Sequence, residues 1–210
     1  LFRLVGSEMC IRDRFKDALP ESVDAYYNPE FIAQGSIVDD LRHADMVLLG
    51  GKGQHSGALE MMYYQIQNGF KVANVHTMST RAAELTKIAV NCYLTTKITY
   101  ANQVGQVMIR DGMEDEVKTV LKAIGGDSRI GTKYLNYGFG FGGPCFPRDN
   151  RAFAAYASKA GVETPLGATT DKFNDEHTEF LKEYFINKNK DNRAYVFHYL
   201  TYKDGVDILT

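Results

Sequence analysis

Residues 138 to 149 read Gly-Phe-Gly-Phe-Gly-Gly-Pro-Cys-Phe-Pro-Arg-Asp, one thiol set among glycines and followed four residues later by a carboxylate. Glycines let a substrate come close to the backbone. Pro144 and Pro147 are expected to hold Cys145 in a loop, and Arg148 brings a positive charge of the kind that lowers a thiol pKa and raises the reactive thiolate fraction. Cys145 therefore reads as a nucleophile. The competing reading of a lone cysteine is a small buried hydrophobe.

Gly138, Gly140 and Gly143 also spell Gly-x-Gly-x-x-Gly. A dinucleotide fingerprint must follow a strand, open directly into a helix and be trailed by an acidic residue about 20 positions on. Pro144 and Pro147 should delay any helix until about Asp149, so the run is read as a loop embracing a substrate and not as a phosphate loop.

Lys87 and Asn91 stand one helical turn apart and so project from one helix face. A helical lysine is ordinarily solvated. Glu30, after the Asn28-Pro29 turn, would alone be a surface acid. Together, a thiol, a lysine, an amide and two carboxylates make a set for covalent carbonyl chemistry. If they act together, Lys87, Asn91, Cys145 and Asp149 should converge on one cleft with Glu30 on its wall. A cysteine hydrolase would instead need a histidine base, but His43, His55, His76, His177 and His198 sit in no motif that pairs one with Cys145.

The elements that must position these groups alternate at first. Asp45 to Gly51 reads as a buried strand, residues 56 to 68 as a helix with Leu59, Met62, Tyr63 and Ile66 at helical spacing, and Phe70 to His76 as a second strand, the pattern of a parallel α/β unit. A long helix is expected from Thr80 to Asp111, with Leu85, Ile88, Ala89, Cys92, Thr96 and Thr99 recurring at three- to four-residue spacing. Further helices are expected over 113 to 124, ended by Gly125-Gly126, over Asp149 to Ala160, and over 169 to 187. Arg193 to Tyr202 returns to a strand.

Composition bounds the class. The 210 residues are 44% hydrophobic and 24% charged with a net charge of −2, enough for one or two globular domains and without the basic footprint of a nucleic-acid binder. No apolar run reaches the ~20 residues of a membrane span. Three cysteines without framework spacing suggest reduced thiols and a cytoplasmic setting. No metal site is expected. Residues 5 to 14 look like a translated sequencing adapter, so residues 1 to 15 are set aside as non-native.

Five blocks in order carry a resemblance: Asn-Pro-Glu-Phe-Ile-Ala-Gln-Gly (28 to 35), Ala-Glu-Leu-Thr-Lys-Ile-Ala-Val-Asn (83 to 91), Asp-Ser-Arg-Ile-Gly (127 to 131), Gly-Phe-Gly-Gly-Pro-Cys-Phe-Pro-Arg-Asp (140 to 149) and Tyr-Lys-Asp-Gly-Val-Asp (202 to 207). They resemble the motifs of the UDP-glucose/GDP-mannose dehydrogenase family. The resemblance implies an α/β plus α architecture: residues 16 to 76 as the tail of an NAD-binding Rossmann domain, 77 to 167 as a central all-helical dimerisation domain around the long helix, and 168 to 210 as the start of a C-terminal Rossmann-like domain for the nucleotide sugar.

It also implies the chemistry, an NAD-dependent four-electron oxidation of a sugar C6 alcohol to the uronic acid through a thiohemiacetal and a thioester on Cys145. Lys87 and Asn91 would donate to the oxyanion, Asp149 would orient or deprotonate water, and Glu30 would assist thioester hydrolysis. Tyr134, Leu135, Asn136, Tyr137, Gly138 and Gly142 match the substrate loop, Lys203 a substrate-binding lysine, Arg129 an arginine reaching the neighbouring subunit's substrate, and Arg148 a contact to the cofactor. A homodimer through the long helix follows from the same resemblance. Cys-Phe-Pro-Arg-Asp points to UDP-glucose, with GDP-mannose or a UDP-N-acetyl sugar as alternatives. Gln34 replaces a glutamate common in the family, Val206 departs from its threonine-rich run, and no NAD fingerprint is found. The chain by itself is therefore expected to be inactive, and a dimerisation fragment without catalysis is the rival reading.

Overall fold

The computed structural model describes residues 18–20, 23, 25–31, 37–51, 56–67 and 74–196. The chain divides into two compact units between Ile88 and Ala89.

In the first unit, α1 (Ile37–Arg42) leads to β1 (Met46–Gly50), α2 (Ser56–Ile66) follows, and β2 (Asn74–Met78) pairs with β1 in parallel, Met46 opposite Asn74 and Gly50 opposite Met78. Parallel neighbours joined by a helix are the α/β unit that the sequence predicts. Val47, Leu49 and Tyr63 form its buried core. Two expectations change. Met62 and Ile66 of the predicted apolar face are exposed, because Tyr63 and half-buried Leu59 supply the packing face. The second strand begins at Asn74 and runs two residues beyond His76, in register with β1 as far as Gly50; residues 70 to 73 lie outside the described residues.

The long helix α3 (Thr80–Arg110) runs 31 residues, one short of the predicted Asp111. It reaches this length because it has no proline and carries only one glycine before its end. In the second unit its buried side includes Asn91, Thr95 and Asn102 beside Ala101 and Met108, a polar stripe that an apolar-periodicity reading passes over. A turn of 3₁₀ helix (Glu114–Glu116) precedes α4 (Val117–Gly126). The glycines expected to end this helix lie within its last turn. Gly125 packs against Thr132, which a Cβ would meet at 3.0 Å. Met108, Val117, Leu121 and Leu135 share one core with Ala101.

Helix α5 (Phe146–Lys159) starts three residues before the predicted Asp149. Pro147 lies in its first turn, where the missing N–H would have had no partner in any case, so proline opens the helix and does not delay it. Cys145 is consequently the N-cap residue, not a loop residue. Helix α6 (Pro165–Lys188) likewise opens on proline, four residues before the predicted start, and the expected domain boundary at 167 falls inside it. Its far end is tied to the 3₁₀ turn: Lys188 Nζ reaches Glu114 at 2.6 Å, and the Tyr184 hydroxyl donates to the same carboxylate. Arg193 to Val196 are not in a strand, and the remainder of that expected element lies outside the described residues. Among the described residues no helix is long and apolar enough to cross a membrane, and no cluster of three or more His, Cys, Asp or Glu could hold a metal ion.

Candidate active site

The first turn of α5 gathers three of the predicted residues. Cys145 caps the helix and is exposed. Asp149, one turn on, is buried at 3% exposure and donates its backbone N–H to the Cys145 carbonyl at 2.8 Å. Its carboxylate is held on both oxygens: Asn91 Nδ2 donates to Oδ2 at 2.6 Å and Arg148 Nε to Oδ1 at 2.8 Å. Asn91 thus joins Asp149 across α3 and α5, as the sequence leads one to expect. Arg148 faces that carboxylate at its Nε. The other described thiol, Cys92 on α3, is half-buried. Burial pushes its pKa up to about 12, helped by the negative charges of Asp149 and Asp171.

Behind this turn lies a buried polar relay. Thr95 Oγ1 donates to Asn150 Oδ1 at 3.0 Å, and Asn150 Nδ2 donates to Asp171 Oδ1 at 2.8 Å. It fastens α5 to α3 and α6, so the residues next to Cys145 are fixed by side-chain hydrogen bonds and not by helix packing alone.

In the first unit Lys87 Nζ donates to the backbone carbonyl of Glu30 and lies 4.4 Å from the Phe31 ring centroid. The Glu30 side chain is exposed. The turn carrying it is anchored by Asn28, whose Nδ2 donates to Leu48 of β1 at 2.9 Å while its Oδ1 accepts from the Tyr63 hydroxyl at 2.5 Å.

The predicted substrate loop precedes α5. Tyr134 has φ 62, a left-handed conformation uncommon for a bulky residue, and its ring meets Phe146 edge-on at 6.4 Å. Phe141 meets the same Phe146 ring at 6.4 Å, so the residue after Cys145 is gripped by both ends of the loop. Leu135 is buried, Asn136 is exposed, and Gly142 is half-buried. Tyr137 packs so close to α3 that a Cβ on Gly105 would lie 2.1 Å from its ring. Its hydroxyl is buried with no partner among the described residues, and burial pushes its pKa up to about 12.

Three side chains hold the loop's backbone. Gly138 N–H donates to Asn102 Oδ1 at 3.0 Å, and its carbonyl accepts from His177 Nε2 at 2.7 Å. Phe141 is held twice by Asn174, its N–H donating to Oδ1 at 2.8 Å and its carbonyl accepting from Nδ2 at 3.0 Å. Because a carbonyl only accepts, His177 carries its proton on Nε2, leaving Nδ1 to accept from Gln106 Nε2 at 2.7 Å. None of these clamp residues is singled out by sequence reading.

Arg129, expected to reach outward, is 87% exposed at its side chain and is paired with Asp127 Oδ2 at 2.6 Å. Lys203 lies outside the described residues. On one flank of the loop, Asn136, Tyr137, Gly138 and Phe139 help to line a cavity of about 440 Å³ with Tyr184 and Phe185.

Residues 81–176, the span that contains Lys87, Asn91, Asn102, Cys145, Asp149 and Asn174, match the family described as UDP-glucose/GDP-mannose dehydrogenase, central domain. This span belongs to the family's central domain. The chain is 33% identical over 173 residues to a UDP-glucose 6-dehydrogenase of Pseudomonas aeruginosa, covering 82% of this chain and 36% of that protein. Over 128 residues it is 38% identical to a UDP-glucose 6-dehydrogenase of Drosophila melanogaster, covering 60% and 26%. A solved UDP-glucose dehydrogenase from Pyrobaculum islandicum superposes with a TM-score of 0.70 at 30% identity, over 86% of this chain and 40% of the other. The chain thus spans well under half the length of these relatives.

A nicotinamide dinucleotide needs a strand, a glycine turn and a helix N-terminus in succession for its pyrophosphate. The run from Gly138 to Gly143 follows no strand, and its backbone is taken up by Asn102, His177 and Asn174. This run therefore does not form the phosphate turn of a dinucleotide site.

Proposed function

We propose that the whole protein catalyses the NAD-dependent four-electron oxidation of a nucleotide sugar C6 alcohol to the uronic acid, with UDP-glucose as the substrate. The observation that carries the proposal is the fixed turn in which Asp149, held by Asn91 and Arg148, lies one helical turn behind exposed Cys145. The relatives' names point to the same substrate. NAD, when bound, would supply the acceptor for each of two hydrides.

The chain's own residues account for the remaining steps. Oxidation of the alcohol leaves an aldehyde, and the Cys145 thiolate adds to its carbon, forming a C–S bond and an oxyanion that Asn91 and Lys87 can receive by hydrogen bonding. Loss of the second hydride converts the thiohemiacetal to a thioester. Water then adds to the thioester carbon, the C–S bond breaks, and the sulfur leaves as thiolate while the product departs as carboxylate. Asp149 orients the water or accepts its proton, and Glu30 assists this hydrolysis. Tyr134, Leu135, Asn136, Tyr137, Gly138, Gly142 and Lys203 are assigned to the substrate, Arg148 to the cofactor.

The deciding experiment uses the whole protein and a panel of UDP-glucose, GDP-mannose and UDP-N-acetyl sugars. NADH should form in a ratio of two per UDP-glucose, Cys145→Ser should stall after the first hydride, and Glu30→Gln should accumulate a thioester visible as a mass increment on Cys145. A Cys145→Ala protein that forms uronate at the normal rate refutes the nucleophile.

We also infer that the whole protein pairs with a second copy along α3. Tyr93, Tyr100 and Val107 recur at seven-residue intervals on this helix and are exposed, an apolar line unusual for a solvated surface. Sedimentation of the whole protein and of a Tyr93→Glu/Tyr100→Glu variant tests it, the variant being expected to sediment as a monomer.

A further inference from the structure

The loop from Gly138 to Phe141 contains two glycines and would sample many conformations if left alone. It is not left alone. Asn102, Asn174 and His177 hold both the N–H and the carbonyl of Gly138 and of Phe141, and Asn102 Nδ2 additionally approaches the Phe139 carbonyl at 3.4 Å. All three side chains come from helices, two from α6 and one from α3, so the clamp is mounted on rigid elements.

The clamp is itself well supported. His177 is fully buried, stacked between Phe173 at 6.0 Å and Phe180 at 6.2 Å and met edge-on by Tyr137 at 5.7 Å. Gln106 fixes its tautomer from the other side. Gly140 sits so close to Asn174 that a Cβ there would lie 2.3 Å from Oδ1, which leaves the amide no alternative seat between the two Phe141 bonds. None of the three side chains is needed as an acid, a base or a nucleophile in the chemistry above. Four residues beyond Phe141 the chain reaches Cys145.

We propose that Asn102, Asn174 and His177 are positioning residues, which set the backbone shape in which the 138–141 loop receives the nucleotide sugar. This rests on the assignment of that loop to the substrate. The clamp acts through main-chain hydrogen bonds alone, so it serves recognition of the sugar nucleotide and leaves dinucleotide binding untouched.

The test uses the whole protein with Asn174→Ala, which removes both Phe141 bonds, and the milder Asn174→Asp, which keeps the acceptor for the Phe141 N–H and loses the donor to its carbonyl. The KM for the nucleotide sugar should rise about tenfold for alanine and about threefold for aspartate, with the KM for NAD unchanged, as expected for one or two net hydrogen bonds. Hydrogen exchange at the Phe141 amide should quicken in the alanine variant while the α3 core stays protected. An unchanged sugar KM, or both KM values rising together, overturns the proposal, as does unaltered exchange at Phe141. A wild-type protein that oxidises no nucleotide sugar refutes the function and this inference with it, whereas a wild type that does so beside unaffected variants refutes the inference alone.

Discussion

Asn91 and Asp149 are 58 residues apart in sequence and joined by one buried hydrogen bond of 2.6 Å. With Arg148 on the other oxygen, both carboxylate oxygens are engaged. Asp149 is therefore an oriented group, and in the proposed reaction Asn91 would link the oxyanion's donors to the carboxylate that handles the water.

Removing the amide exposes this dependence. Asn91→Ala leaves Asp149 Oδ2 buried without its donor and should destabilise the chain by about 1–3 kcal/mol, more than a surface substitution does. Urea unfolding should show a lower midpoint with an unchanged slope. A wild-type midpoint would mean that water replaces the amide at no net loss.

The two described thiols should differ sharply in reactivity. Cys145 is exposed, whereas Cys92 is half-buried with its pKa pushed up to about 12, which leaves about one thiolate in 10⁴ at a pH of about 8. Timed iodoacetamide labelling followed by peptide mass spectrometry should show Cys145 alkylated well before Cys92. Equal rates would contradict the burial of Cys92.

Much of this arrangement was legible in the sequence, and the failures have physical causes. The long helix was plain because proline is absent and the periodicity is sustained. That Asn91 meets Asp149, one turn from Cys145, was expected because residue types and spacing together pointed to carbonyl chemistry. Pro147 misled because a proline forbidden inside a helix is welcome in its first turn, which moved the start of α5 to Phe146 and made Cys145 a cap. Asn102, Asn174 and His177 escaped notice because each binds a backbone 33 to 39 residues away, and backbone partners leave no pattern in side-chain sequence. Tyr134 gave no sign of its left-handed backbone either.

Acid should weaken the fold through His177. Burial holds its pKa below the ordinary histidine value, against a smaller opposing effect of its bond to the Gly138 carbonyl. The unfolded chain then binds the proton first as pH falls below about 6.5, so this contribution is whole above that pH and is lost as pH drops towards the folded pKa. His177→Gln should flatten the pH dependence of the urea midpoint below about pH 6.5. Parallel profiles for the two proteins would assign the titration to another group.

Gly140→Ala should displace Asn174 and destabilise the chain by about 1–3 kcal/mol, as overpacking does. Adding Asn174→Ala removes the atom in the way. The double variant should then be less destabilised than the sum of the two singles, and strict additivity would mean that the new methyl finds other space.

The close seating of Tyr137 on Gly105 bears on any effort to make this protein more heat-resistant. Replacing the lone glycine of a helix interior with alanine is ordinarily a safe gain, worth about 1 kcal/mol. Here the added methyl would fall 2.1 Å from an aromatic ring and evict it, together with the loop that carries it. The most inviting stabilising substitution on α3 is thus the one that would dismantle the floor beneath the site, and a thermostable variant must draw its gains from the solvent-facing positions of the helix.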